Sequence, residues 1–303
     1  MQLNRRNFVG LAAATLAFRE HLQSKGHRFR LGISNTTFEN WSFRDAMKGT
    51  IRFGYTGTEI SPFTLTEDPS TLTASQRNNL KSIMVDENVA YIGLHNILKA
   101  PKGLHVTTSN GKKRQDSWEF FRKLVDLAAD LGDNALMIFG SSKQRSAKLG
   151  ETTVSDAKKR LVEGLADIAP QAEARGVKIL MEPLAPHLCD VVNTMAEAVE
   201  IVDQVNSPAV RAMFDTHNAV AETLDHGEVI KKYLPYIEHV HINELDGRHP
   251  GTGSYDFLPV LRALKSVQFK HWVSLEVFKF KPSPEVIARD SERLLRKWER
   301  EVT

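Results

Sequence analysis

The chain has 303 residues, 41% of them hydrophobic and 25% charged, ordinary values for a globular protein with a substantial core. Its net charge of +3 comes from well-mixed signs without a basic block, so composition gives no electrostatic case for a nucleic-acid partner. The single Cys189 excludes an internal disulfide framework and any cysteine-rich zinc site.

The N-terminus carries Arg5-Arg6 ahead of a short apolar run, Leu11 to Phe18. That is the layout of a twin-arginine export signal, and residues 1–25 are read as signal and lead-in, with the periplasm as the expected destination. The run is too short to span a bilayer, for which about 20 residues are needed, and no later stretch predicts a membrane span.

Leu31-Gly32-Ile33-Ser34 reads as a first strand. Helical spacing of Phe43, Ala46, Met47 and Ile51 predicts a helix capped by Ser42. Gly57-Thr58-Glu59-Ile60 is a short second strand, and residues 74–88 form the next helix. Val89 to His95 is the third strand. The twenty residues from Asn96 to Gln115 read as a long loop, in which Lys99, Lys102, Lys112, Lys113 and Arg114 suggest a solvated lid. A periodic helix follows over 117–131, then a strand over 135–139. A polar loop over 140–145 leads to a helix over 153–175, closed by Gly176. Strands over 177–181, 210–214, 237–242 and 271–277 then alternate with helices over 194–205, 222–234, 255–266 and 284–302. Eight strands alternating with helices over residues 28–303 predict a single (β/α)8 TIM barrel preceded by the export signal. The alternative, a doubly wound open sheet, lacks a G-x-G-x-x-G turn.

Four of these strands end in chemistry. Leu180-Met181-Glu182, Met213-Phe214-Asp215, Val240-His241-Ile242 and Ser274-Leu275-Glu276 each run apolar into a carboxylate or imidazole, at intervals of 33, 26 and 35 residues. In a barrel such strand ends converge on one face. Three carboxylates and one imidazole make a hard, oxygen-rich set that suits one divalent metal ion, with Mn²⁺ preferred, Mg²⁺ or Co²⁺ next and Zn²⁺ less specifically.

The segments Glu182-Pro183-Leu184, Phe214-Asp215-Thr216, His239-Val240-His241-Ile242, Pro250-Gly251-Thr252-Gly253 and Leu275-Glu276 resemble those of the xylose-isomerase-like barrel superfamily, and most of all the ketose 3-epimerases. The resemblance implies a sugar isomerase or epimerase in which Glu182, Asp215, His241 and Glu276 hold the metal. It implies also that Glu182 and Glu276 act as the acid/base pair on an enediolate. It suggests substrate contacts at Glu59 and His95, which end the second and third strands. His217 stands beside a ligand, and His187, Glu244, Arg248 and His249 lie on the same face. Trp41 is placed to stack on a sugar ring or to pack.

The chain also departs from that pattern. Asn218 stands where the 3-epimerases carry a histidine, Leu188 where they carry a second glutamate, and the arginine after the metal histidine is displaced to Arg248. These changes touch the substrate side and leave the metal set intact. The runner-up activity is therefore a lyase or dehydratase on an oxidised sugar, cyclitol or 3-keto-glycoside. Weaker readings are a phosphodiesterase like endonuclease IV and a non-catalytic sugar-binding barrel. The partner implied is a small carbohydrate, with no nucleic acid and no membrane span in the mature protein, and a homo-oligomer is left open.

Overall fold

The computed structural model describes residues 28–302; the expected export signal lies outside them. Eight parallel strands close a barrel in sequence order. They are β1 (Arg30–Ser34), β2 (Gly57–Ile60), β3 (Ala90–Leu94), β4 (Leu136–Phe139), β5 (Lys178–Met181), β6 (Val210–Asp215), β7 (Ile237–Ile242) and β8 (Trp272–Leu275). Closure comes from β1 pairing with β8, Arg30 opposite Trp272 through Ile33 opposite Leu275. Around it lie α1 (Phe43–Arg52), α2 (Ala74–Asp86), α3 (Gly111–Leu131), α4 (Ser142–Arg145), α5 (Val154–Ala174), α6 (Met195–Val205), α7 (His226–Tyr233), α8 (Leu258–Ser266) and α9 (Pro284–Glu301). Among the described residues no helix is long and apolar enough to cross a membrane.

Side chains fill the barrel. Ile92, Leu136, Ile138, Leu180, Met213 and Trp272 form a separate inner cluster, as expected of a barrel that is packed rather than open. Gly57 makes room for it, because a Cβ there would overlap the Trp272 ring. Most helices start on a side-chain cap: Ser42 accepts from the Asp45 N–H, Asn110 from Lys113, Thr153 from Asp156, and Thr73 with Gln76 forms a capping box.

Helix boundaries differ from the sequence reading where a side chain finds a better use. α3 begins six residues before Ser117, because Asn110 supplies the cap. Ser117 instead donates to Lys113 O at 2.7 Å and accepts the His105 N–H. Lys112, Lys113 and Arg114 of the expected loop thus stand on the first turn of a helix. α7 begins at His226 rather than Glu222. Glu222 accepts the Met195 N–H at the start of α6, and Asp225 caps α7. Tyr255 and Asp256 stay outside α8: the Tyr255 N–H goes to Glu244, and Asp256 accepts from Leu258. The short α4 falls in the stretch read as a polar loop.

Candidate metal centre

Strands β5 to β8 deliver Glu182, Asp215, His241 and Glu276 to one point at the C-terminal mouth. One donor atom from each lies within 4.8 Å of the others, and all four side chains are buried. The parallel register accounts for part of this, since Asp215 sits beside His241 on the neighbouring strand.

Below the quartet a second layer fixes the imidazole. Glu59 is fully buried at the end of β2. Its two oxygens are taken up by His239 Nε2 at 2.8 Å and His241 Nε2 at 3.0 Å. That leaves His241 Nδ1 turned toward the carboxylates, 2.9 Å from Glu276 Oε2, 3.8 Å from Asp215 and 3.9 Å from Glu182. A carboxylate behind a ligating histidine orients the ring and raises its basicity. The structure therefore corrects the expectation for Glu59: it has no oxygen to spare for a substrate, and it supports His241 instead.

The charges are strongly coupled. Burial and the neighbouring Glu276 and Asp215 carboxylates push Glu182 well above the ordinary carboxylate range. Burial acts the same way on Glu276, yet His95 and His241 outweigh it and hold that carboxyl below its usual value. Burial opposes charge on His241, but Glu59 and Glu276 raise the ring well above an ordinary imidazole. Three carboxylates crowded at one point are what a divalent cation neutralises. His241 Nδ1 and Glu276 Oε2, both buried, lack a well-formed hydrogen bond, so the donor set fits such an ion.

Residues to which the sequence assigns no site role complete the site. Asn218 Nδ2 donates to Asp215 Oδ2 at 2.9 Å and to Glu182 Oε1 at 3.2 Å, tying two members of the quartet together. The departure from the epimerase histidine thus lands inside the quartet's own hydrogen-bond shell. Gly140, just past β4, permits Glu182 to stand where it does, because a Cβ there would overlap its Oε2. Arg145 is wholly buried and donates to Phe139 O at 3.0 Å and Glu182 O at 2.7 Å, pinning the ends of β4 and β5.

The expected substrate residues divide. His95 stands against the quartet, its Nε2 3.1 Å from Glu276 Oε1. His217 is buried, its N–H held by Asp215 and Asn243, its Nδ1 without a partner and its ring 4.7 Å from that of Phe278. His187 is exposed, with its ring 6.2 Å from that of His217. Arg248 is not brought to the quartet, which corrects that expectation. Its guanidinium pairs with Asp246 at 2.7 Å, two residues away in the same exposed turn. Glu244 is a loop clamp, accepting the N–H groups of Gly251 and Tyr255.

A family model described as the xylose isomerase-like TIM barrel matches residues 50–298. The chain belongs to that family. It is 29% identical over 119 residues to a D-psicose 3-epimerase of Enterocloster bolteae, covering 39% of this chain and 40% of that one. With a probable ketose 3-epimerase of Synechocystis it shares 24% identity over 215 residues, 65% of this chain and 73% of the relative. The alignment with the first relative thus spans less than half of its length. A crystal structure of D-psicose 3-epimerase with D-fructose superposes with a TM-score of 0.77 at 19% identity, covering 89% of this chain and 99% of the other. At that identity the likeness speaks for the fold.

Proposed function

We propose that the chain is a divalent-metal-dependent sugar epimerase that moves a proton beside a carbonyl, with Glu182 and Glu276 as the acid/base pair. The observation that carries this is the convergence of four buried donors from four successive strands. The ketose 3-epimerase names among its relatives support the same class.

Glu182, Asp215, His241 and Glu276 would hold the ion, and Mn²⁺ suits a donor set made of carboxylate oxygens and one imidazole nitrogen. A bound divalent cation supplies Lewis acidity, stabilising negative charge as it develops on substrate oxygen. The protein's own contribution is the proton traffic. Proton exchange at a carbon flanked by two carboxyl groups needs one ready to accept and one ready to donate. Glu182 and Glu276 come from different strands to the same point, so one would take the proton and the other return one. His95 keeps Glu276 ionised and in place, and Asn218 does the positioning for Glu182.

The test is solvent exchange. Protein loaded with Mn²⁺ is incubated in D₂O with ketoses, and the carbon-bound protons next to the carbonyl are followed by NMR. Exchange with formation of the epimer is the expected result. Release of a substituent would move the assignment to a lyase, and no exchange with any ketosugar would overturn the reading.

A further inference from the structure

A cavity of about 490 Å³ opens beside the quartet, and Glu276 is the one quartet member among its lining residues. It reaches away from β5–β7, over the loops that follow β1, β2 and β3 and the segment after β8. Its walls are aromatic: Phe38, Trp41, Phe43, Phe63, Phe278 and Phe280. Trp41, Phe43, Phe63 and Phe280 are only half-buried, so apolar faces are held open to the cavity.

Size and chemistry both point beyond a single sugar. Water takes about 30 Å³ per molecule in the liquid, so the twelve non-hydrogen atoms of a hexose, packed more tightly, fill at most about three-quarters of this space. Part of that hexose would also sit at the quartet, outside it. Part of the polar lining is already engaged, while Glu39 and Asn40 stand exposed at the rim. The Asn35 amide is committed to Thr64 Oγ1 at 2.9 Å and to the Ser61 N–H at 2.9 Å. Asn96 Nδ2 leans on Ser61 Oγ and His95. Lys99 Nζ lies 4.0 Å over the Phe63 ring, a cation–π contact that holds this wall upright. The cavity offers flat faces, and flat faces bind rings by stacking.

We propose that this cavity is a subsite for a second ring carried on the substrate, so that the enzyme acts on a ketosugar glycoside rather than a free ketose. The second ring is either an aryl group or another sugar, since both present a flat apolar face. This inference rests on the sugar-epimerase reading of the quartet. It is carried by the cavity's place beside Glu276, its volume and its aromatic walls.

Binding tests it without turnover. The Mn²⁺-loaded full chain is titrated calorimetrically with methyl β-glucoside, phenyl β-glucoside and cellobiose, none of which carries the reactive ketone. One or both ringed probes should bind at least tenfold more tightly than the methyl glycoside, and whichever does identifies the ring. In the double variant Trp41→Ala, Phe63→Ala that preference should shrink to less than threefold, while Trp41→Phe, which keeps a flat face, retains it. Circular dichroism and a melting curve establish that each variant is folded. Equal binding of all three probes, or a preference unmoved by the double variant, overturns the proposal. A ring preference that survives while no ketosugar exchanges in D₂O overturns the epimerase reading and leaves the subsite standing.

Discussion

Over β5–β8 the barrel mouth is charged and cross-linked, whereas over β1–β3 it is aromatic and open. On the first side Glu182, Asp215, His241 and Glu276 are buried, and Glu59 and Asn218 tie them together. On the second, half-exposed rings surround a cavity, and Asn35 is committed to Thr64 and Ser61. Buried like charges need a compensating cation or a change of protonation, so the first side is constrained by chemistry. Glu276 belongs to both.

The sharpest way to break that contrast is to remove an acid/base group. Glu276→Gln or Glu182→Gln should lower kcat by about 10²–10⁴-fold, the usual worth of a positioned proton-transfer group, with the melting temperature little changed. Turnover near the wild-type rate in either variant would remove the assignment. Gly140→Ala should come next, because its methyl displaces Glu182. A misplacement of that kind costs up to about 10²-fold in kcat, whereas a merely local role for Gly140 would leave steady-state kinetics alone. Glu59→Gln should weaken cation affinity by about 10–100-fold, the typical effect of losing a carboxylate behind a ligating histidine, as read by calorimetric titration with Mn²⁺. The smallest effect is expected at Arg248→Ala. Its guanidinium is satisfied by Asp246 outside the site, so stability should stay within about 0.5 kcal/mol of wild type, and a large fall in kcat/KM would return Arg248 to the site.

The same contrast explains what could be read in the sequence. The quartet was legible because each member ends an apolar run of strand length, and the barrel brings such ends together. The eight strands and their order were legible for the same reason. Glu59 reads as a strand-end carboxylate, but its role does not, since that depends on His239 and His241, 180 and 182 residues away. Asn218 reads as a departure from a motif, and only three dimensions show it joining Asp215 to Glu182. Gly140 carries no signal at all, its function being the absence of a side chain. The aromatic cavity was the least legible part. It is assembled from loops after four different strands, where periodicity is silent, and Trp41 alone hinted at it.

The central claim is that the four strand-end residues form one divalent-cation site. Chelator-treated protein titrated with Mn²⁺ by calorimetry should take up one ion per chain. At a hundredfold excess over Kd, binding should stabilise the fold by about 2.7 kcal/mol, visible as a rise in Tm. Both effects should vanish in the double variant Asp215→Ala, His241→Ala. No saturable binding to the wild-type chain, or unchanged stoichiometry and affinity in that variant, would contradict the account.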